Sequence, residues 1–361
     1  MDETQPLQEA QGAGSATGTL ALELPALRRR FADAHRPRPA IFWTDLAVSA
    51  AIGWSAFAVA GRAAQGSLLS LAALLVAILA LYRAVLFIHE ISHLKRGALP
   101  GFEVVWNLVA GLPLMVPSLM YVGSHREHHD ISIYGTELDP EYEPVASWSP
   151  LRIVASFLVM PLLPPIMALR WGVMGPISRL VPALRPFVVG RLSTLVINTH
   201  YVRAAPRGHN ARRWALEEAG GAIYFWVAVA ALASGAVSLH WVPLWLAVGT
   251  GILVLNHART LAAHRYENDG GPMDWTGQLG DSVNMPGVPA LTVLVAPVGL
   301  RFHGLHHMMP GLPYHALGGV HRALVAELPE GSLYADTQTD GVLATLGGLL
   351  RRAARRRRSA P

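Results

Sequence analysis

The sequence contains no cysteine, and this absence excludes several classes of site at once. Disulfides, thiolate zinc sites, iron–sulfur clusters and rubredoxin-type modules all need cysteine sulfur, so the chain itself carries none of them. Charged residues are also scarce, at 15% of the 361 residues against 52% for hydrophobic ones. This balance is too apolar for an ordinary soluble protein and indicates a chain embedded in a bilayer.

The few charges are unevenly distributed. Arginines at 28–30 precede the first apolar run, and six more crowd positions 351–358. Beside membrane segments such clusters favour contact with anionic lipid over nucleic acid, so no nucleic-acid partner is expected. The first residues lack the basic and then apolar profile of a signal peptide. We expect a disordered, basic leader at 1–38, a membrane domain at 39–335 and a basic tail at 336–361.

Four apolar runs have the length of membrane-spanning helices, because about 20 residues cross the hydrocarbon core. They lie at residues 41–61, 68–88, 222–239 and 242–261. Short links join the first two runs and the last two, which predicts two transmembrane hairpins. The hairpin corners carry only Arg62, whereas the chain ends and the middle segment are rich in arginine. Lys and Arg favour the cytoplasmic side, so both termini are expected there.

Two other apolar segments are expected not to cross. Residues 104–122 contain Pro113 and Pro117, which favour a re-entrant or interfacial segment. Residues 151–190 carry four arginines and six prolines, a pattern typical of amphipathic helices in the interface. A third transmembrane pair is the alternative for this segment. The expected fold is therefore an all-α integral membrane protein with about four spans.

Histidines occur in three clusters near the ends of the apolar runs. His89 and His93 are four residues apart, which places them on one face of a helix. Two copies of the pattern His-x-x-His-His follow, formed by His125, His128 and His129 and by His303, His306 and His307. A chain with 16 histidines would show this triplet by chance roughly 0.03 times. Eight imidazoles exceed the needs of one tetrahedral zinc, so two metal ions are predicted.

Further residues are candidates for the metal site. His264 falls where the fourth run leaves the bilayer, at the depth of His89, and is the predicted ninth ligand. His257 lies seven residues earlier, about 10 Å deeper at 1.5 Å per residue, and is expected to contact a ligand or the substrate. Which of these two is the extra ligand stays open. Metal-bound imidazoles donate their other N–H to a carboxylate or carbonyl. The candidate partners are Glu90, Glu127, Asp130, Glu137, Asp139, Glu141, Asp281 and Asn284.

Two other functions compete for these histidines. His89-Glu90-Ile91-Ser92-His93 also matches His-Glu-x-x-His, in which two histidines bind zinc and the glutamate is a general base. An intramembrane metalloprotease would need one more ligand and would leave both His-x-x-His-His clusters unused. A metal-binding transporter would place its ligands along a pathway in mid-membrane. Here the predicted topology gathers the histidines at one face, so both alternatives are less favoured.

The three clusters, in this order, resemble the three histidine boxes of the membrane fatty-acid desaturase family. The resemblance runs from Ile41 to Tyr334 and includes segments similar to bacterial members, such as Tyr134-Gly135-Thr136 and Pro313-Tyr314-His315. It implies four transmembrane helices under a cytoplasmic helical cap that holds two non-haem irons, in a bacterial inner membrane. The ninth ligand of acyl-CoA desaturases is carried over to His264.

The resemblance also implies a reaction. Such enzymes use O2 and external electrons to remove hydrogen from a lipid chain. We expect desaturation of a fatty-acyl or other lipid chain; hydroxylation of a lipid, carotenoid or secondary metabolite is the alternative. The electrons would come from a ferredoxin, a rubredoxin or cytochrome b5 with its reductase. A surface with Arg203, Arg207, Arg212 and Arg213 is either the docking site of an acidic donor or an ordinary positive-inside loop.

Overall fold

The computed structural model describes residues 24–287, 289–329 and 331–359, and helices dominate this part of the chain. Its α-helices are α1 Pro39–Arg62, α2 Leu68–Val85, α3 Phe87–His93, α4 Phe102–Trp106, α5 Leu119–His128, α6 Pro150–Ala155, α7 Leu163–Leu169, α8 Gly175–Leu180, α9 Arg185–Leu192, α10 Gly208–Ala233, α11 Trp241–Ala263, α12 Trp275–Asp281, α13 Pro289–Val295, α14 His303–Met308, α15 Tyr314–Glu327, α16 Leu333–Asp336 and α17 Val342–Ser359. Shorter 3₁₀ or π segments are Ala32–His35, Asn107–Gly111, Val145–Ser147, Ser156–Leu162, Arg170–Met174 and Pro182–Leu184.

Helices α1 and α2 form the first predicted hairpin. The turn between them has Gly66 at φ +75°, and Ser67 caps α2 by accepting the N–H of Ser70 at 3.2 Å. Asp45, the charge that interrupts the first apolar run, pairs with Arg83 of α2. Both charges are thereby satisfied inside apolar surroundings. The apolar stretch continues beyond the predicted end at 88, because Leu68–His93 is helical almost without a break.

Helices α10 and α11 form the second hairpin, with one predicted helix displaced. The prediction of 222–239 is wrong at both ends, since α10 spans Gly208–Ala233. Its charged first turns stay helical because Glu217 accepts the N–H of Leu119 at 2.9 Å, while Glu218 pairs with three arginines. Gly235 at φ +75° follows the end of α10. The two hairpin corners meet at the end of the bundle opposite to α3.

The segment at 104–122 overlaps a short apolar helix, Phe102–Gly111, which is too short to span a membrane. Its packing explains its position beside the first hairpin. Trp106 donates its indole N–H to the carbonyl of Ala84 at 2.8 Å, and Trp54 donates to Val109 at 2.7 Å. The expectation of a non-crossing segment agrees with this length.

Among the described residues, five stretches rather than four have the length and apolar composition of a membrane span, and the additional one is Pro150–Leu180. The interfacial amphipathic helices expected at 151–190 are therefore not confirmed. This stretch changes from α to 3₁₀ and π geometry along its length. Ser156 near its beginning lies 2.6 Å from His257 Nε2 of α11. Three arginines converge on Glu218 of α10, two from the second half of the stretch and one from beyond its end.

Both predicted flanking segments contain helical structure. Of the expected leader, residues 1–23 lie outside the described residues, whereas 24–30 are helical, and Leu27 and Phe31 pack beside a buried cluster that includes Leu317. Of the expected tail, α17 packs through Leu349, which is fully buried in a cluster with Tyr266. Apolar side chains within these charged segments account for the packing. The domain boundaries themselves stay predictions.

Candidate metal centre

Four parts of the fold carry the predicted histidines to one place. Helix α3 supplies His89 and His93. Helix α5, together with His129 directly after it, supplies the second cluster. The short helix α14 supplies the third, and His264 follows the last residue of α11. In each helix the four-residue spacing puts the rings on one face. Nearly all of these side chains are buried.

The histidines form two groups of four. The first group is His89, His93, His125 and His306, and the second is His128, His264, His303 and His307. Within each group, one nitrogen of every ring lies within 4.8 Å of the others. His129 lies between the groups. Its Nε2 is 3.2 Å from His125 and 2.9 Å from His306 of the first group, and its ring centroid is 4.4 Å from that of His307 of the second. All nine predicted ligands are therefore together, and their assignment as ligands stays a prediction.

The donor set of each group fits a divalent cation. Nε2 atoms face one another at 2.9 Å between His264 and His303 and at 3.0 Å between His303 and His307. A neutral imidazole carries one N–H, so at most one of two facing nitrogens can donate to the other. When several nitrogens face one another, some of their lone pairs therefore have no N–H to accept. The buried Nε2 atoms of His89 and His93 have no hydrogen-bond partner among the described residues. A metal ion would satisfy these atoms, as iron and zinc do with imidazole.

Burial keeps most of these rings neutral, which is the form that binds metal. It lowers the pKa of His125, His129, His303, His306 and His307 well below the ordinary value. His128 differs from the others. Burial lowers its pKa, but the carboxylates of Asp139, Glu141 and Asp281 together more than offset this effect, so the net pKa is raised.

Carboxylate or tyrosine side chains contact the Nδ1 atoms of three of the rings. His125 Nδ1 lies 2.9 Å from Glu141 Oε1 and 2.8 Å from the hydroxyl of Tyr121. His128 Nδ1 lies 2.9 Å from Asp139 Oδ1, and this carboxylate also accepts the N–H groups of Gly135 and Glu141 at 2.9 Å each. Such contacts fix the orientation of a ring and the nitrogen that it presents to a metal. Burial also raises the pKa of Glu141 to about 7.

Of the predicted outer partners, Asp281 contacts the ring of His264. Its Oδ2 lies 3.2 Å from His264 Nδ1, and the hydroxyl of Tyr134 lies 2.9 Å from the same nitrogen. Glu90 accepts the N–H of Tyr314 at 2.9 Å, with its other oxygen 3.7 Å from His89 Nδ1. Both carboxylates are therefore buried beside the histidines.

Other predicted partners contact something else. Asn284 accepts the N–H of Leu305 at 3.0 Å, so it holds α14 in place. His257 belongs to neither group, and its Nε2 forms a hydrogen bond with the hydroxyl of Ser156. Glu127 accepts a hydrogen bond from the hydroxyl of Tyr201. Asp130 accepts one from the N–H of Ser132 at the surface.

Tyr121 and Tyr134 contact the histidines but were not predicted from the sequence. Tyr121 has a signal that could have identified it, since it lies four residues before His125 on the same face of α5. Tyr134 has none, because its contact with His264 spans 130 residues.

An apolar cavity of about 150 Å³ opens beside the first group of histidines. At one end it reaches His89, Tyr121 and Glu141, and it extends along α11 as far as Gly249. A second, wider groove of about 1010 Å³ reaches His93 from another side. Of the arginines expected to dock a donor, Arg213 is paired with Glu103 and Glu217, and Arg203 stacks on Trp214.

Comparisons with known proteins agree with this site. The profile of the family described as "Fatty acid desaturase" matches residues 65–338. A protein of Caulobacter vibrioides named ceramide hydroxylase is 42% identical over 321 residues, which cover 89% of this chain and 91% of that protein. No solved structure matches. The chain belongs to the fatty acid desaturase family and is an integral membrane oxidoreductase that acts on lipid.

Proposed function

We propose that this protein is a di-iron hydroxylase of a ceramide-class lipid. The observation that carries the proposal is the 42% identity, over 89% of the chain, to a protein named ceramide hydroxylase. The reaction breaks one C–H bond of the lipid and forms C–OH with one atom of O2. The other oxygen atom leaves as water, with two electrons from an external donor and two protons.

Desaturation, the outcome first expected from the sequence, is the second candidate, and the family match favours it. It consumes the same O2 and electrons but removes a second hydrogen in place of transferring a hydroxyl. The histidine groups serve either outcome, because the ligand type is the same for both. The position of the lipid beside the metals would decide between them.

The nine histidines would hold the two irons. His89, His93, His125 and His306 would bind one iron, and His128, His264, His303 and His307 would bind the other. The ring of His129 contacts His306 of the first group and His307 of the second. When bound, the irons supply activation of dioxygen and removal of hydrogen from the lipid. The chain's own residues orient the rings through Asp139, Glu141 and Asp281. The apolar cavity beside His89 holds the lipid and excludes water.

The competing functions account for less of this arrangement. A zinc protease built on His89 and His93 would use Glu90 as a base, yet Glu90 accepts the N–H of Tyr314. It would also leave the second group of four histidines without a role. In a transporter the ligands would follow a path across the membrane. The two groups here are adjacent instead.

The electron donor is a separate protein, because the chain has no cysteine for an iron–sulfur module. We propose that an acidic donor, such as a ferredoxin, binds at the groove that reaches His93. Lys95, Arg96 and Arg126 line this groove, and positive charge would attract an acidic partner. A rubredoxin or cytochrome b5 with its reductase would use the same surface.

The same charges support the proposed orientation. Lys95 and Arg96 follow α3 directly, and the helical residues 24–30 add arginines at the start of the described chain. Positive residues favour the cytoplasm, so we propose that the histidines and both termini face the cytoplasm of a bacterial inner membrane.

Lipid profiling tests the proposed function. The gene is expressed in cells that make ceramide, and ceramides are analysed by tandem mass spectrometry. Wild type should add one hydroxyl, whereas His128→Ala and His306→Ala should each abolish the product, because each removes a ligand from a different group. His200→Ala, which changes an exposed ring outside both groups, serves as the matched control. A new double bond would support the desaturase, and an unchanged lipid profile would contradict both candidates.

A further inference from the structure

The last turns of α11 form a polar patch in the wall of the apolar cavity. Asn256, His257, Arg259 and Thr260 line the cavity there, on the same helix as the apolar Ile252 and Gly249. Gly249 and Arg259 are ten residues apart, or about 15 Å along the helix. The cavity therefore has a polar end beside the histidines and an apolar end toward the middle of α11.

Arg259 is the central residue of this patch. Its side chain is 5% exposed, so its charge is almost completely removed from solvent. Its three hydrogen bonds go to neutral oxygens, two to Asn256 Oδ1 at 3.2 Å and one to Thr260 Oγ1 at 2.9 Å. The hydroxyls of Tyr82 and Tyr121 also interact with the guanidinium, and the Glu141 carboxylate is near enough to attract it. Arg259 nevertheless forms no ion pair with any of the described residues. A buried cation of this kind is costly unless a ligand or neighbour supplies further acceptors.

The polar patch lies close to the proposed reaction centre. The cavity that Arg259 lines is also lined by His89, a member of the first group of histidines. Tyr121 and Glu141, which both contact His125 Nδ1, line it as well. An acceptor bound at Arg259 would thus share one small cavity with the first metal position.

We infer that Arg259 and Asn256 bind the oxygen-bearing end of the lipid, so that the carbon oxidised lies within a few bonds of that end. The acceptor is an amide or carboxylate oxygen, and the chain extends along α11 toward Gly249. This inference rests on the proposed function and adds the orientation of the substrate. A chain bound in the opposite direction would place apolar carbons against a buried, charged guanidinium, which is unfavourable.

Binding of N-palmitoyl sphinganine and of palmitic acid to the purified protein in nanodiscs, with iron retained, tests the inference. Arg259→Met keeps the length of the side chain but removes its donors, and it should weaken binding of the preferred lipid about ten-fold or more. Arg259→Lys should recover part of the affinity, because it restores a donor. Arg62→Met, at the hairpin corner far from the cavity, should bind as wild type does. Unchanged binding by Arg259→Met would overturn the inference.

The position of the new hydroxyl gives a second readout, which a merely structural role of Arg259 would not change. Tandem mass spectrometry of the wild-type product should place the hydroxyl within a few carbons of the amide, and a mid-chain position would overturn the inference. Residual product from Arg259→Met should show the hydroxyl at several positions. If Arg259→Met does not fold, Asn256→Ala replaces it, and wild-type affinity and position in that variant would count against the patch.

The two lipids separate this inference from the proposed function. Stronger binding of palmitic acid that still depends on Arg259 would support the polar patch but contradict ceramide as the substrate. Wild-type protein that binds and oxidises neither lipid would contradict the proposed function. If the wild type hydroxylates ceramide and Arg259→Met does so equally well and at the same carbon, only the inference is overturned.

Discussion

Asp139→Asn should remove the metal of one histidine group before that of the other. Asp139 is fully buried and contacts His128 Nδ1 at 2.9 Å, and it also accepts two backbone N–H groups. An asparagine keeps the shape but loses the charge and one acceptor oxygen. Removing an outer partner of a metal-bound histidine weakens metal binding about 10- to 100-fold. At about 1.4 kcal/mol per ten-fold, the loss is about 1.4 to 2.8 kcal/mol.

The effect should be confined to the second group, since His128 belongs to it. Iron in purified protein is measured by mass spectrometry during titration with a chelator. Wild type should hold about two irons per chain, and Asp139→Asn should fall to about one at chelator concentrations that leave wild type loaded. Mössbauer spectra of the variant should lose the signature of a coupled pair.

Asp130→Asn is the matched control, because Asp130 lies in the same segment but binds Ser132 at the surface. It should retain both irons. Glu141→Gln is the mirror variant, since Glu141 contacts His125 of the first group. If Asp139→Asn keeps two irons with the wild-type chelator midpoint, the assignment of His128 as an oriented ligand is refuted.

Three further variants test the packing that supports the site. Glu218→Ala removes the carboxylate shared by three arginines, including the buried Arg170, and should lower stability by about 3 to 5 kcal/mol, so an unchanged melting temperature in detergent would count against this account. Gly251→Leu should cost about 1 to 3 kcal/mol, because even a Cβ there would lie 2.7 Å from Ile78 Cδ1; normal yield and melting would contradict this. Leu349→Ala should cost about 2 to 5 kcal/mol and speed proteolysis of α17; equal protection would argue against its packing.

The histidines could be predicted because their signal is local. A ring at every fourth residue of a helix faces one side, and two copies of His-x-x-His-His are rare by chance. The division into groups could not be predicted in the same way. His306 joins His89, while its neighbour His307 joins His128, and this depends on how α14 enters between the other helices.

The errors in the helices have a different cause. A prediction from hydropathy alone starts the third run after Glu217 and Glu218, because it treats charged residues as exposed to solvent. In the fold, Glu218 is buried and pairs with Arg170, which lies 48 residues away in sequence. The outer partner Tyr134 was missed for the same reason, because its contact with His264 is distant in sequence. Contacts of this range have no periodic pattern that a single sequence shows.

The most direct test of the central claim is the fate of isotopically labelled dioxygen. Purified, iron-loaded protein is supplied with an electron donor, ceramide and ¹⁸O₂, and the product is analysed by mass spectrometry. We predict a hydroxylated ceramide that carries one ¹⁸O atom, with none formed by His128→Ala or His306→Ala. A product whose hydroxyl oxygen comes from water, or equal product from protein without iron, would contradict the account.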